Sequence, residues 1–245
     1  MCGEVEESVL FTLFLGDGSF DSLRSLRMTV VVVTQLRRFE QSDKLKSERR
    51  IFMIRFATER DIPEILEIYA PYILNTAYSF EYTVPTLEEF TERFRSYTAQ
   101  FPWLVWEENG KVLGYAYGSR PWGRAAYSWN AEVSIYLAPA IHGRGVGRKL
   151  YAVLEEILKM QGYRIIYSVI TSDNQGSIEF HKKLGYTFVA EFPGCGHKFG
   201  RRLGTIWLEK QVDFVEYPHN FPVPYRDIVE SDEKLSDILD KLSIS

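Results

Sequence analysis

The chain has 245 residues, of which 45% are hydrophobic and 25% charged, the balance of a soluble globular protein with a sizeable core. Its formal net charge of −4 argues against a general attraction to nucleic acid, and no apolar run reaches the ~18 residues of a membrane span. The two cysteines, Cys2 and Cys195, lack the spacing of a zinc site or a disulfide scaffold, which favours a reducing cytoplasm.

Residues 1–52 differ in composition from the rest of the chain, and two interpretations of this N-terminal extension stay open. In the first interpretation, Met53 is the biological start of the protein. Residues 48–50 (Glu-Arg-Arg) can be encoded by GAGAGGAGG, a purine-rich sequence typical of a ribosome-binding site. The second treats residues 1–52 as a native but poorly ordered segment. The apolar run 9–15 follows acidic residues, which argues against a secretory signal.

From Met53 onward, hydrophobic periodicity and turn signals predict alternating strands and helices. Thr86 with Glu89 is the pattern of a capping box that opens a helix, and Asn109-Gly110 predicts a type I′ hairpin turn. The predicted strands are 54–57, 103–107, 111–118, 126–137, 164–170, 186–191 and 204–210, and the predicted helices are 61–74, 86–99, 145–160 and 174–184.

This order predicts an α/β fold for a domain over residues 53–212: a mixed sheet of about seven strands flanked by about four helices. We expect the first half to be antiparallel and the second half to be built from βαβ units. Residues 213–245 are predicted to form a C-terminal extension, in which prolines punctuate an extended stretch. It ends in a short amphipathic helix, expected to dock on the domain or a partner subunit, with apolar Leu235, Ile238, Leu239 and Leu242.

The connection between predicted strand 126–137 and the next helix carries glycines at 143, 145 and 147. Such a turn lets backbone N–H groups approach an anion at a helix N-terminus. Arg148 and Lys149 lie in the first helical turn, where positive charge is unfavourable unless an anion binds. The pattern is neither a P-loop nor the dinucleotide fingerprint, whose last glycine would fall at Arg148. The turn predicts a diphosphate site, and an ordinary glycine-rich loop is the alternative.

The segment His142-Gly143-Arg144-Gly145-Val146-Gly147 resembles the Q/R-x-x-G-x-G/A acetyl-CoA motif of the GNAT superfamily, with histidine where Gln or Arg is usual. Residues 53–212 also resemble its phosphinothricin and methionine-sulfoximine N-acetyltransferase branch. The resemblance implies the GNAT fold, acetyl-CoA as cosubstrate without a metal, a homodimer, and acetylation of a small amino-acid-like amine. The segments that carry this resemblance are Ile68-Tyr69-Ala-Pro-Tyr-Ile, Phe101-Pro-Trp103-Leu-Val, Gly114-Tyr-Ala-Tyr, Ala131-Glu132-Val133-Ser134-Ile135-Tyr136-Leu137 and His181-Lys-Lys-Leu-Gly185-Tyr186.

The resemblance also assigns residues to the cofactor. In GNAT proteins the strand before the glycine turn splays from its neighbour, and its free backbone groups bind the pantetheine arm. An asparagine of the next helix contacts the cofactor as well. The cofactor-binding residues implied here are Ile135, Tyr136, Leu137, Gly143, Arg144, Gly145, Val146, Gly147, Arg148 and Asn174.

Acetyl transfer requires a base, because a free amine is mostly protonated at neutral pH. Glu132, which matches the glutamate of this branch, is the predicted base, and we expect desolvation to raise its pKa. His181 stands where many GNAT enzymes have a tyrosine that protonates the leaving thiolate, so it is the predicted acid or an orienting group. A solvent-facing glutamate and a histidine on a helix face are the alternatives.

The resemblance places six residues around the acceptor, and Arg124 among them could pair with an α-carboxylate. Glu81 is acidic where some herbicide-detoxifying members have arginine, which argues against phosphinothricin itself as the preferred acceptor. Cys195 and His197 form a single Cys-x-His pattern with no further candidate metal ligands nearby in the sequence, so no metal site is predicted. The predicted acceptor-binding residues are Phe80, Glu81, Trp122, Arg124, Tyr127 and His197.

Two other functions stay open. One keeps the enzyme class but makes a protein N-terminus or a polyamine the acceptor, which an open acidic cleft would favour. The other is a noncatalytic acetyl-CoA-binding regulatory domain, with partners recruited by the C-terminal extension.

Overall fold

The structure, a computed structural model, describes residues 52–214 and 220–231 of the chain. The strands are β1 (Phe52–Phe56), β2 (Trp103–Glu108), β3 (Lys111–Ser119), β4 (Asn130–Leu137), β5 (Ile165–Thr171), β6 (Thr187–Lys198) and β7 (Arg201–Gln211). The helices are α1 (Ile62–Asn75), α2 (Leu87–Thr98), α3 (Val146–Gln161), α4 (Gln175–Lys183) and α5 (Tyr225–Ser231). The predicted α/β class is confirmed.

All seven strands belong to one mixed sheet in the order β1-β2-β3-β4-β5-β7-β6. Strands β1 to β4 are antiparallel neighbours, and β4 and β5, joined through α3, are parallel. The expected βαβ second half is confirmed by β4, α3 and β5, while β7 lies between β5 and β6 and is antiparallel to both. Since β6 and β7 form a long hairpin, β7 takes the open edge of β5 and β6 becomes the edge strand.

Two local signals in the sequence are confirmed. At the start of α2, the Thr86 hydroxyl accepts from the N–H of Glu89 at 3.2 Å, while the Glu89 carboxylate accepts from the N–H of Thr86 at 2.7 Å. Asn109 and Gly110 have φ angles of 51° and 77°, both in the left-handed region that a type I′ turn between β2 and β3 requires.

The predicted start of β4 is wrong. The strand begins at Asn130, and residues Ala125–Tyr127 form a 3-10 turn in which the N–H of Tyr127 donates to the carbonyl of Arg124 at 3.0 Å. The first pairing of β4 with β5 joins Asn130 to Ile165. The carbonyl of Trp129 still accepts from the N–H of Arg164 at 2.8 Å, whereas further upstream local turn bonds join Tyr127 to Arg124 and Ser128 to Ala125.

The sheet has a hydrophobic layer on each face. Helices α1 and α2 pack over one face with buried Ile65, Phe90 and Trp103, and α3 and α4 pack over the other with Leu154 and Ile178. Side chains alternate along a strand. Successive residues of β4 therefore point to different layers, which matters for the site described below.

The C-terminal segment from residue 220 docks on the domain. The N–H of Val223 donates to the carbonyl of Gln161, and the side-chain amide of Gln161 donates to the carbonyl of Val223. The ring of Tyr225 lies 5.2 Å from that of Phe56. Helix α5 was not predicted. The predicted helix with Leu235 and the N-terminal residues 1–51 lie outside the described residues. None of the helices in the described ranges is long and apolar enough to cross a lipid bilayer.

Candidate functional site

β4 and β5 separate from each other in the middle of the sheet. Three residue pairs join them: Asn130–Ile165, Ala131–Ile166 and Glu132–Tyr167. Beyond Glu132, β4 runs on to Leu137 paired with β3, while β5 runs on to Thr171 paired with β7. The second half of β4 thus has one edge without a strand partner among the described residues, and the expected splay is confirmed.

A cleft of about 800 Å³ opens beside this free edge of β4. It is bordered by the second half of β4, by the turn before α3 and by α4, and Tyr72 of α1 closes one end. The amide oxygen of Asn174 caps α4 by accepting from the N–H of Ser177 at 3.1 Å. Eight of the ten predicted cofactor residues line this cleft: Ile135, Leu137, Gly143, Gly145, Val146, Gly147, Arg148 and Asn174.

The turn before α3 presents bare backbone to the cleft. Gly143 and Gly145 have φ angles of 73° and 77°, and a Cβ atom added to either would meet nothing within 4 Å. Gly147 is instead tightly packed, because a Cβ there would lie 3.1 Å from the Phe180 ring. α3 begins at Val146, and the first N–H groups of a helix lack partners within it. Unpaired donors and the positive helix end fit the diphosphate of coenzyme A.

The other two predicted cofactor residues do not line the cleft. The guanidinium of Arg144 pairs with the buried carboxylate of Glu108 on β2. The ring of Tyr136 packs edge-on against Tyr69 of α1, with centroids 4.7 Å apart. Because side chains alternate along β4, Tyr136 faces α1 whereas its neighbour Ile135 lines the cleft.

The backbone carbonyl of Leu137 already has two partners at one end of the cleft. The Tyr72 hydroxyl donates to it at 2.6 Å, and His142 Nε2 lies 3.0 Å from it. The histidine that replaces the usual Gln or Arg of the motif is thus tied to β4. In the alternating ladder the backbone of Ile135 points the same way as that of Leu137, toward the open edge of β4.

Glu132 is the last residue of β4 to pair with β5, and its side chain shares a face with Tyr136. Burial raises the pKa of its carboxyl to about 7, and no charge or hydrogen bond from the described residues offsets this effect. A carboxyl group with a pKa near neutrality can both accept and return a proton at physiological pH. The position and the pKa together suit a general base.

His181 of α4 is 1% exposed and does not line the cleft. Its Nδ1 bonds to the Ser177 carbonyl at 2.8 Å, and its Nε2 lies 2.9 Å from the Ser168 hydroxyl and 3.1 Å from that of Tyr151. Burial lowers the pKa of the imidazole to about 4. The neutral ring links α3, α4 and β5, and protonation of a thiolate would first require one of these bonds to break.

Three predicted acceptor-binding residues gather around the loop that follows α1. Phe80 and Glu81 belong to this loop, and the Tyr82 hydroxyl of the same loop donates to the carbonyl of His197 on β6. The Glu81 carboxylate pairs with Arg93 of α2 at 2.7 Å. Its negative charge is therefore compensated inside the protein.

The remaining predicted acceptor residues lie between β3 and β4. Trp122 stacks on Trp207 of β7 with ring centroids 5.6 Å apart and packs edge-on against Tyr167 at 5.1 Å. Tyr127 tilts against Trp122 at 5.1 Å. The side chain of Arg124 is exposed and has no hydrogen bond or ion pair within the described ranges. The aromatic residues thus form one wall beside the point where β4 and β5 separate. Arg124 is not part of this wall.

Sequence reasoning missed four residues with a place in this site: Tyr72, Arg93, Tyr151 and Lys198. Arg93 lies four residues after Glu89 on α2, and this spacing suggests only an ordinary surface ion pair between the two. Lys198 directly follows His197, but its burial is invisible in the sequence.

Comparisons with known proteins agree with this geometry. Residues 54–207 match the profile of the acetyltransferase (GNAT) domain. The L-methionine sulfoximine/L-methionine sulfone acetyltransferase of Salmonella typhimurium is 37% identical over 165 residues, 65% of this chain and 94% of that protein. The phosphinothricin N-acetyltransferase of Streptomyces viridochromogenes is 31% identical over 185 residues, 75% of this chain and 97% of that protein. Among solved structures, the phosphinothricin acetyltransferase of Sinorhizobium meliloti in complex with AcCoA has a TM-score of 0.65 at 32% identity, covering 71% of this chain and 94% of that chain.

Proposed function

Because the chain belongs to the GNAT family of acetyltransferases, we propose that it moves the acetyl group of acetyl-CoA to the amino group of a small amino-acid-like acceptor. The names of the relatives support this acceptor class, since they specify L-methionine sulfoximine, L-methionine sulfone and phosphinothricin. The aromatic wall of Trp122 and Tyr127 beside the split suits a small acceptor.

The divergence of β4 from β5 directly after Glu132 is the observation that carries this proposal. An extended pantetheine arm can bind to the free edge of β4 much as an added strand does. The glycine turn before α3 would hold the diphosphate at the other end of the cleft. The acyl end of the cosubstrate would then reach the neighbourhood of Glu132.

Bound acetyl-CoA supplies an activated acetyl group as its thioester. Glu132 takes a proton from the amine as the N–C bond forms, and the C–S bond breaks. Protonated Glu132, with a pKa of about 7, can return that proton to the departing thiolate. One amine N–H bond and the C–S bond are thereby exchanged for an amide N–C bond and a thiol S–H bond. The role of His181 as the acid stays a prediction.

Polyamine and protein acceptors receive less support from the site. An acidic cleft would favour a polyamine, but the carboxylate of Glu81 is neutralised by Arg93. No second carboxylate accompanies Glu81 among the predicted acceptor residues.

The chain is proposed to form a homodimer in the cytoplasm. The exposed apolar surface of β6 fits a dimer interface. This edge strand leaves Phe188 60% and Phe192 51% exposed, and pairing of two copies would cover such surface. The free thiol of Cys195 is exposed, which suits a reducing compartment. Light scattering at micromolar concentration should give twice the chain mass, and a single-chain mass would contradict the dimer.

A thiol-release assay with acetyl-CoA and a panel of amines tests the proposed function. We expect release that depends on amino acids or amino-acid analogues. Release with polyamines or peptides alone would move the function to those acceptors. A protein that binds acetyl-CoA but releases no thiol with any amine would support the noncatalytic reading.

A further inference from the structure

Lys198, the last residue of β6, carries a buried charge that has no ion-pair partner among the described residues. Three residues with a formal charge are buried among the described residues: Asp61, Glu108 and Lys198. Asp61 pairs with Arg55 at 2.7 Å, and Glu108 pairs with Arg144. Lys198 is 3% exposed, yet no carboxylate of the described residues lies within ion-pair distance of it. A buried charge is normally paired, because burial without a partner costs several kcal/mol.

The ammonium of Lys198 retains hydrogen-bonding capacity. It has three N–H donors, and one of them binds the carbonyl of Ser79 at 2.6 Å. The ring of Phe199 lies 5.1 Å from the nitrogen and stabilises the charge without accepting an ordinary hydrogen bond. Loss of hydration lowers the pKa of the ammonium, and the negative charge of Glu81 offsets part of this effect. Two donors therefore lack a protein acceptor within the described part of the chain.

The surroundings of Lys198 are those of the predicted acceptor site. We name residues 76–82, which follow α1, the acceptor loop. The Phe80 ring of this loop packs so closely on Gly196 that a Cβ there would lie 2.4 Å from it. The Tyr82 hydroxyl donates to the carbonyl of His197. The loop and the end of β6 thus meet directly at Lys198.

The turn after Lys198 carries strain that places an aromatic ring against the ammonium. Phe199 and Gly200 have φ angles of 51° and 68°, as in a type I′ turn. That turn favours asparagine at its first position, and a bulky residue there is strained. Asn109-Gly110 supplies the favourable sequence in the turn between β2 and β3. Strain of this kind is typical of functional sites.

We propose that the ammonium of Lys198 binds the carboxylate of the acceptor. This inference rests on the proposed function and narrows it to amines that carry a carboxylate. The two carboxylate oxygens would accept the two free N–H donors, and the buried cation would gain a counter-charge. We assign this role to Lys198 rather than to Arg124, because charge-assisted hydrogen bonds are stronger away from water.

The test compares kcat/KM for an amino acid and for its carboxamide, in which the carboxylate charge is removed. Wild-type protein should prefer the acid. Lys198→Met should lose about 10- to 100-fold more in kcat/KM with the acid than with the amide, the effect of one charged hydrogen-bonding partner. Any loss common to both acceptors would come from the missing bond to the Ser79 carbonyl. Lys198→Arg should retain the preference for the acid.

Thr171→Val is the matched control, because the Thr171 hydroxyl donates to the carbonyl of Ala77 in the same loop at 2.8 Å. It should lower the rate with the acid and the amide alike. An equal loss with both acceptors in Lys198→Met would mean that the lysine only holds the loop, and it would overturn the inference while the proposed function stands.

Two further outcomes separate the inference from the proposed function. Wild-type protein that turns over neither acceptor would overturn both. If Lys198→Met does not fold, Arg124→Gln decides. Loss of the acid preference in that variant would overturn the assignment to Lys198, and an unchanged preference would support it.

Discussion

Glu132 on β4 and Tyr167 on β5 form the last residue pair between the two strands, and the proposed cosubstrate and acceptor sides of the site meet at this pair. β4 opens beyond it to the cleft with the glycine turn. The ring of Tyr167 packs against Trp122 on the predicted acceptor side. A carboxyl group held here loses hydration without gaining a hydrogen bond, which prepares it for proton transfer.

Glu132→Gln should lower kcat by about 100- to 1,000-fold, because the amide cannot accept the proton of the amine. Its affinity for acetyl-CoA, measured by calorimetry, should stay within about threefold of the wild-type value, since the glycine turn is untouched. Unchanged turnover would remove Glu132 as the base.

The pH profile should carry the signature of the same carboxyl group. Its pKa is raised from 4.5 to about 7, so kcat/KM should rise with pH through about 7, and this limb should vanish in Glu132→Gln. The folded state holds this proton more tightly than the unfolded chain does. The contribution of Glu132 to unfolding free energy therefore decreases as pH rises from 4.5 to about 7. Urea titrations of both proteins across this window should show the difference, and parallel curves would contradict the assignment.

Gly145→Ala should weaken acetyl-CoA binding and cost about 1–2 kcal/mol of stability, because Gly145 is left-handed with a φ of 77°. Gly123→Ala is the matched control, since a Cβ there meets nothing within 4 Å and φ is not in the left-handed region. Calorimetry and thermal melting measure the two effects. Equal behaviour of both variants would contradict the role of the turn.

Gln161→Leu should reduce the unfolding free energy by about 2–4 kcal/mol, because two carbonyls lose their donor. Gln161 is 2% exposed, and its Nε2 donates to Gln100 at 2.8 Å and to Val223 at 2.7 Å. The exposed Gln175, which donates to Ser172, provides the comparison, and Gln175→Leu should change stability by no more than about 0.5 kcal/mol. Urea denaturation distinguishes them, and similar small changes would show that the C-terminal segment contributes little.

His181→Phe should lower stability by about 1–3 kcal/mol, because the hydroxyls of Ser168 and Tyr151 lose their acceptor. The pKa of this histidine is depressed from 6.5 to about 4. The contribution of His181 to the free energy of unfolding of the wild-type protein therefore decreases as the pH drops through that range. The variant should lack this loss. A kcat reduced by orders of magnitude at unchanged stability would instead support His181 as the acid of the reaction.

The sequence was sufficient for the fold wherever the deciding contacts are local. Thr86 with Glu89 and the Asn109-Gly110 turn are examples, since each is set by residues within one turn of the chain. The start of β4 was missed because it depends on where β5 begins. The insertion of β7 beside β5 likewise depends on pairing between distant segments, which no local pattern reports.

The same distinction holds for the site. The glycine turn was predictable, because its backbone conformation requires glycine and the neighbouring helix supplies the N–H donors. Arg144 was assigned to the cofactor by its position in the motif, and this assignment stays a prediction. The pairing of its guanidinium with Glu108, 36 residues earlier, could not be read from the sequence. Lys198 was missed because its partner, the carbonyl of Ser79, lies 119 residues earlier in the chain.

Acetyl transfer by this chain can be followed with an isotopically labelled acetyl group on acetyl-CoA and mass spectrometry of the products. We expect the label on the amino nitrogen of an amino acid or amino-acid analogue, and Glu132→Gln should abolish most of this product. Label found only in free acetate, or left entirely on coenzyme A in the presence of every amine tried, would contradict this expectation.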